Sequence, residues 1–324
     1  MLGEFIAILA VLTFVSSNVM FLKTEHEVTP SYINFFRTAI GTLSFILLAL
    51  FINSFNLIFL IPWEIWLLLI MSFVFGQVIG DTAYFTAQKE LGATIALAIS
   101  MTFPLFTFIL SLIFLNKPFK FNLILSLLLI ATGITIIGKS KSNSNNSKEE
   151  LFDQIKPSFK KRVLRIFRGD LIKAIGFCFI ASLGWAIGAV LIEFGTIKID
   201  EIIQIEEISS ILGNVIRFPF AFLILASMVW RENYLKNKNN IVKVKKSLNS
   251  WILLIIASIT GTSIGAYLYT ESVHLVGASI VSLIASASPL FALPLTYLVN
   301  KEKISKFGFI GVISTILGVV VILI

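Results

Sequence analysis

Cysteine, histidine and charged residues are all scarce in this sequence of 324 residues. A single cysteine, Cys178, excludes an intramolecular disulfide and a metal site built from cysteines. The two histidines, His26 and His274, form no His-Glu-x-x-His motif, and no Gly-x-x-x-x-Gly-Lys-Ser/Thr nucleotide loop occurs. Charged residues make up 14% of the chain, against about 25% in soluble domains. These absences argue against a soluble protein, a membrane enzyme and an ATP-driven pump.

Hydrophobic residues are abundant instead, at 57% of the chain, with 30 phenylalanines and a mean hydropathy of +0.93. The net charge of +8 raises the question of nucleic-acid binding. However, the basic residues stand in short loops between apolar runs, which is the pattern of membrane orientation and not of a phosphate-binding face. We therefore expect membrane lipids, and no nucleic acid, as partners.

Ten apolar runs approach the length of about 20 residues that a helix needs to cross a bilayer. Lipid offers no hydrogen-bond partners for open strand edges, so helices are the expected spanning elements. The sequence therefore predicts an all-α integral membrane protein with ten transmembrane helices. The runs are Gly3–Leu22, Pro30–Ile52, Pro62–Gln88, Leu91–Leu115, Phe121–Gly138, Leu171–Gly195, Ile208–Trp230, Trp251–Glu271, Leu275–Val299 and Phe307–Ile324.

A polar, basic linker at residues 139–170 divides the chain into two units of five runs, residues 1–138 and 171–324. Its first part, Ser140–Ser147, has the composition of a flexible linker. Two interpretations are open for the basic segment Lys160–Arg168. It is either a short amphipathic helix on anionic lipid or a solvated basic loop.

The two units repeat each other when the sequence is shifted by 185 residues. Five helices is an odd number, so the second unit enters the membrane from the opposite side and the repeat is inverted. Inverted repeats are typical of secondary transporters with a central site and alternating access. Under this shift Gly76, Gly80, Tyr84, Gly92, Pro104 and Gly133 fall on Gly261, Gly265, Tyr269, Gly277, Pro289 and Gly318, and a shift of 180 places Asn34 and Arg37 on Asn214 and Arg217.

Several short motifs in both units resemble the EamA domain of the drug/metabolite transporter superfamily. They include Phe35-Phe-Arg37, Ala83-Tyr-Phe-Thr-Ala-Gln and Leu91-Gly-Ala-Thr in the first unit, and Trp185-Ala and Val276-Gly-Ala-Ser in the second. The resemblance implies a ten-helix transporter of small metabolites with both termini in the cytoplasm. The chain departs from the pattern at Phe14, where tryptophan is usual, and at Lys117, where an acid is usual.

Three charged residues lie well away from the ends of the runs, where a charge costs at least about 2.5–3.5 kcal/mol. Arg37 and Arg217 either hold an anionic group in the cavity or have a structural role, which the resemblance favours because an arginine here is common to members with diverse substrates. Asp81 has Ala266 at its repeat position and so breaks the symmetry. Asp81 either carries a proton or cation, or forms an inert ion pair with Arg37.

Uncharged polar and aromatic residues complete the candidate site. Asn18, Asn34 and Asn214 line a path or bond between helices. The aromatic side chains of Tyr84, Trp185 and Tyr269 form a cavity wall or merely pack. Glu271 either contributes to the cavity or, like Glu193 at the end of the sixth run, sits at the water interface. Mid-helix prolines Pro104 and Pro289 act as hinges or as static kinks.

Orientation gives conflicting signals. With the N-terminus inside, the cytoplasmic loops hold only Lys117, Lys120 and Lys198, while the other basic loop residues lie outside. The positive-inside rule therefore favours both termini outside, against the implication of the resemblance.

The sequence favours a secondary transporter or exporter of small metabolites, such as amino acids, in the plasma membrane. A proton is the candidate coupling ion, a monomer or homodimer is expected, and no cofactor or metal is invoked. The alternative is a lipid-binding or scaffolding membrane module without solute flux, which only the basic linker supports.

Overall fold

The computed structural model describes residues 2–24, 27–91, 96, 99–117, 121–144, 157–205, 208–238, 247–288, 291 and 306–323. This described part is helical throughout and contains no strand. Six of its helical stretches are long and apolar enough to cross a membrane, and Phe103–Phe114 and Phe121–Gly133 are shorter apolar helices. The protein is an all-α integral membrane protein, as the sequence predicts.

Every described α-helix overlaps one of the ten predicted runs. Two runs contain a π-helical segment, Val74–Asp81 and Ser258–Ile264, between two α-helices. The α-helices are α1 (Leu2–Leu22), α2 (Pro30–Phe51), α3 (Trp63–Phe73), α4 (Thr82–Leu91), α5 (Phe103–Phe114), α6 (Phe121–Ser144), α7 (Pro157–Ile203), α8 (Ser209–Lys238), α9 (Leu248–Ala257), α10 (Gly265–Val276), α11 (Ala278–Ser286) and α12 (Lys306–Leu323).

The basic segment Lys160–Arg168 belongs to helix α7, which begins at Pro157 and continues into the sixth run. The segment is therefore helical, and the interpretation as a loop is wrong. It is also not a separate short helix, because no break divides it from the membrane-spanning part. Residues 145–156 of the linker lie outside the described part.

Helix ends follow local side-chain chemistry. The Thr29 hydroxyl accepts the N–H of Tyr32 at the start of α2, and Pro30 occupies the first turn, where it removes no helical hydrogen bond. A residue with positive φ terminates α2, α5, α7 and α10 in turn. These residues are Asn53, Asn116, Gln204 and Gly277. Asparagine and glycine tolerate this left-handed conformation better than other residues.

With ten crossings, the four helix ends just named lie on the same face as the N-terminus of α1, which we call the terminal face. A contact agrees with this placement, because a Cβ atom on Gly3 would stand 2.5 Å from the Val276 side chain. The opposite face, where α6 leads into the linker, is called the linker face.

Backbone irregularities recur at repeat-related positions, which supports the internal repeat. The two π-helical segments nearly superimpose under the shift of 185 residues. Helix breaks follow the same rule. Thr102 before α5 has φ −75° and ψ −8°, and Ala287 after α11 has φ −76° and ψ 1°. Each break precedes a repeat-related proline by two residues.

The helix packing has the corresponding two-fold pattern. Helix α2 packs against α8, and α6 packs against α12, so that each of these pairs joins repeat-related helices. Helix α7 packs along α3 and α4, while α1 packs along α9 and α10, so that these two pairings exchange under the repeat. The centre is therefore bounded by helices from both units.

Glycines allow α7 to lie directly on the first π-helical segment. A Cβ atom on Gly184 would stand 2.5 Å from the Phe75 carbonyl oxygen, and one on Gly188 would stand 2.8 Å from that of Ser72. The repeat-related contact has a different composition. There, hypothetical Cβ atoms on Gly261 and Gly265 would meet the side chains of Ser17 and Thr13. Small residues thus bring backbones together at both seams, as in other membrane helix pairs.

Candidate functional site

A charged network joins both units inside the membrane. Asp81, the last residue of the first π-helical segment, forms an ion pair with Arg37 on α2. Its other carboxylate oxygen accepts the indole N–H of Trp185 on α7 at 2.8 Å. The side chains of Arg37 and Asp81 are only 12% and 18% exposed. The interpretation of Asp81 and Arg37 as partners therefore agrees with the geometry, and Trp185 adds a link to the second unit.

Amide side chains hold the arginine of this network in place. The Arg37 Nε donates to Asn34 Oδ1 at 3.0 Å, and Asn34 Nδ2 donates to the Gln77 carbonyl oxygen at 3.2 Å. The Gln77 side chain donates to Thr38 Oγ1 at 3.1 Å. Gln77 was not singled out in the sequence, although a polar amide one turn before Asp81 in an apolar run is a detectable signal.

Aromatic rings border the same network. Tyr84 is buried and packs against Trp185 with ring centroids 5.4 Å apart. The Arg37 guanidinium lies 5.8 Å from the centroid of the Phe85 ring, within cation–π range. The structure thus brings Arg37, Asp81, Tyr84 and Trp185 together.

The second arginine has different neighbours. Arg217 on α8 is 7% exposed, and its guanidinium carbon lies 4.9 Å from the Phe73 ring centroid and 5.9 Å from that of Phe218. Its Nε and Nη1 atoms have no hydrogen-bond acceptor among the described residues. Asn214, one turn earlier, accepts the Thr270 hydroxyl at 3.2 Å and leaves its own Nδ2 unpaired there.

Tyr269 occupies the place of Tyr84 in the second unit. It packs against Phe14 with ring centroids 5.9 Å apart, as Tyr84 packs against Trp185. The Phe14 ring has no N–H group to match the indole of Trp185. Ala266, at the repeat position of Asp81, has no carboxylate. Both members of the Trp185–Asp81 hydrogen bond are therefore replaced at the repeat-related positions, Phe14 in the first unit and Ala266 in the second.

The remaining predicted site residues differ in their burial and in their positions within the helices. Asn18 is exposed, whereas Asn34 and Asn214 are buried. Glu271 is 7% exposed and its Oε2 has no partner within the described ranges, so it does not sit at the water interface. Pro104 lies in the first turn of α5 after the break at Thr102, and not in the middle of a helix as predicted. Pro289 lies outside the described residues.

Glu193 is also buried and does not contact water. It is 1% exposed, and its Oε2 accepts the backbone N–H of Ala278, the first residue of α11, at 2.7 Å. Lys117 pairs with its other oxygen at 2.6 Å. A carboxylate at a helix N-terminus is stabilised by the free N–H groups and the helix dipole. Glu193 therefore anchors α11 to α7 near the terminal face.

Metal-binding side chains do not cluster in the part of the chain that the structure describes, where no three of His, Cys, Asp and Glu come together. The one histidine there, His274, pairs through Nε2 with Asp200 at 2.8 Å. This pair joins the end of α10 to α7, away from the Arg37 network.

Comparisons with known proteins agree with this architecture. The sequence pattern of the EamA-like transporter family matches residues 1–139 and 172–324. An uncharacterized transporter of Archaeoglobus fulgidus is 22% identical over 325 residues, which cover 100% of this chain and 98% of that protein. A solved crystal structure shares the fold with a TM-score of 0.72 at 13% identity, over 98% of this chain and 94% of the other. With the family pattern covering nearly all of both five-run units, the chain belongs to the EamA-like transporter family.

Proposed function

We propose that the protein is a secondary transporter, or exporter, of small polar metabolites such as amino acids. In this proposal the two units rock against each other and open a central site alternately to the two sides of the plasma membrane. Membership of a transporter family supports solute transport in general. The substrate class and the mechanism are our inference from the geometry.

The observation that carries the proposal is the Arg37–Asp81–Trp185 network. Arg37 and Asp81 belong to the first unit and Trp185 to the second, so the network crosses the boundary between the parts that must move. Buried charge is expensive in a membrane and marks transport pathways in many proteins.

Asp81 is the proposed coupling group, with a proton as the coupling ion. Proton binding to Asp81 removes the charge that holds Arg37, and Arg37 then becomes a free cation that can bind an anionic group of the solute. Release of the proton restores the ion pair and displaces the solute. This cycle links one proton to one solute and needs no nucleotide, and it operates within a single chain, whether monomer or homodimer.

Solute flux in proteoliposomes tests this function. The wild-type protein and Asp81→Asn are compared with a panel of amino acids, nucleobases and organic cations, with and without a pH gradient. We expect wild-type flux to follow the gradient and the variant to lose that dependence. Asp200→Asn is the matched control, because Asp200 pairs with His274 outside the network.

Two results would overturn the proposal. Flux that ignores the gradient and survives Asp81→Asn removes the coupling role of Asp81. The absence of flux for every solute in the panel removes the transport function, and binding of the protein to anionic liposomes without flux would then favour the lipid-binding module.

A further inference from the structure

Arg217 presents buried donors that no group in the described part of the chain accepts. We propose that Arg217 and Asn214 form an anion-binding subsite that takes the carboxylate of a small solute. This inference deepens the proposed transport function and rests on it. It gives the second unit an anion-binding arginine that needs no protonation, whereas Arg37 becomes available only when Asp81 binds a proton.

The charges of the two units differ at the repeat-related positions. Arg37 is neutralised by Asp81, but the position of Asp81 is occupied by Ala266 in the second unit. Arg217 is 7% exposed and forms no ion pair within the described ranges. An uncompensated cation at this depth is costly, and a bound anion supplies the missing charge.

The rings beside Arg217 leave its hydrogen-bonding edge available. Phe73 and Phe218 lie 4.9 and 5.9 Å from the guanidinium carbon, within cation–π range. Cation–π contacts stabilise the charge without accepting any N–H. The Nε and Nη1 atoms therefore remain unpaired among the described residues. The two donors point to different edges of the guanidinium, and a carboxylate oxygen can accept a charge-assisted hydrogen bond from either of them.

Asn214 adds a third donor on the same face of α8. It stands three residues before Arg217, and residues at this spacing are neighbours on a helix surface. In the first unit the equivalent Asn34 offers its oxygen to Arg37, but the oxygen of Asn214 is already occupied by Thr270. Asn214 therefore contributes its amide N–H group, which lacks an acceptor there. A set that contains only donors selects a ligand that contains acceptors.

The single positive charge of Arg217 favours a carboxylate over a phosphate as the bound anion. Arg217 is the only basic residue of α8 before Arg231, and α10 contains only His274. One fixed positive charge neutralises a carboxylate fully, whereas a phosphate dianion at this depth would remain partly uncompensated.

Ligand binding in detergent tests the subsite without requiring transport. The probes are the common amino acids and the corresponding amino-acid amides, which differ only by the loss of the carboxylate. We expect amino acids, but not their amides, to raise the unfolding temperature of the wild-type protein. In Arg217→Gln the half-maximal concentration should rise at least about tenfold, because charge-assisted hydrogen bonds are lost.

Three further variants and one control, Arg231→Gln, keep the test decisive if Arg217→Gln folds poorly. Arg217→Lys keeps the charge but lacks the planar pair of donors, so we expect weaker binding that still distinguishes acid from amide. Ala266→Asp gives Arg217 an internal counter-charge and should abolish binding, while Ala266→Asn has the same bulk without the charge and should bind. Arg231→Gln, at the exposed end of α8, should match the wild type.

The outcomes separate this inference from the proposed function. Binding of amides as strongly as amino acids, no binding of any probe, or unchanged selectivity in Arg217→Gln overturns the subsite. If the amides are also transported in proteoliposomes as fast as the acids, transport stands and the subsite falls. Binding that depends on Arg217 without flux of any solute leaves the subsite standing and removes the transport function.

Discussion

Arg37 and Arg217 occupy repeat-related places but have opposite surroundings. Arg37 is bonded by Asp81 and Asn34, whereas Arg217 lies beside two aromatic rings and finds no acceptor among the described residues. The backbone repeat is preserved at both places, including the π-helical segments and the helix breaks. The comparison shows that the two units share the same backbone arrangement but differ in their polar contacts.

The divergence is concerted. Asp81 of the first unit meets Trp185 of the second, a carboxylate with an indole donor, whereas the repeat-related residues, Ala266 of the second unit and Phe14 of the first, have neither group. If only one partner had changed, a buried polar group would have lost its partner, which costs about 1–3 kcal/mol. The tyrosines Tyr84 and Tyr269, which pack on these rings, are retained in both units.

The largest expected effect comes from breaking the ion pair in one unit only. Arg37→Gln or Asp81→Asn each leaves one buried charge uncompensated, so we expect each to lower the free energy of unfolding by about 3–5 kcal/mol. The double variant should lose much less than the sum of the single losses. Arg217→Gln, which has no carboxylate partner in the described part, should cost less than Arg37→Gln.

Unfolding of the purified proteins in detergent measures these differences. Additive losses in the double variant would show that Arg37 and Asp81 are not energetically coupled. A cost for Arg217→Gln as large as that for Arg37→Gln would erase the contrast between the two units.

A second, smaller effect distinguishes two close helix contacts, that of α7 with the first π-helical segment and that of α1 with the second. In Gly184→Ala the new methyl group would stand 2.5 Å from the backbone oxygen of Phe75, so α7 must move away from the π-helical segment. We expect a loss of about 1–3 kcal/mol in stability. Gly176→Ala on the same helix is the control, because no atom lies within 4 Å of its Cβ position. It should gain up to about 1 kcal/mol from helix propensity.

Gly265→Ala extends this comparison to the second unit. Its methyl group would meet the Thr13 side-chain oxygen at 2.6 Å, and a side chain can rotate where a backbone carbonyl cannot. The loss measured by unfolding should therefore be smaller than for Gly184→Ala. Equal losses for Gly184→Ala and Gly176→Ala would contradict the proposed close approach of α7.

Much of this architecture could be predicted from local sequence. Hydrophobic run length gave the helices, and repeated glycines, tyrosines and prolines gave the internal repeat, because these features depend on spacing along the chain. Asp81 and Arg37 stood out because a charge inside an apolar run needs a reason.

Long-range contacts could not be derived in this way. Glu193 looked like an interfacial acid at the end of a run, yet it caps a helix 85 residues further along the chain. The hydrogen bond between Trp185 and Asp81 spans 104 residues, and no periodicity encodes it. The sequence places Pro104 inside a helix because the apolar run is continuous there. In the structure the helix breaks at Thr102, so Pro104 falls in the first turn of α5.

The smallest expected effect concerns the linker face, where Glu27 before α2 connects to the start of α9. Its carboxylate accepts the backbone N–H of Ser247 at 2.7 Å, and this hydrogen bond, with help from the Ser250 hydroxyl, holds the pKa of Glu27 below its ordinary value. A carboxyl group with a lowered pKa in the folded state stabilises the fold above its unfolded pKa, near about 4.3. That stabilisation is lost as the pH falls through the lower folded pKa.

We expect Glu27→Gln to be slightly less stable than the wild type at pH near neutrality, and the difference to vanish under acid. Glu201→Gln is the control, because its exposed pair with Lys198 contributes little in water. If the difference in stability between Glu27→Gln and the wild type persisted in acid, the contact would depend on the shape of the side chain and not on the charge of its carboxylate.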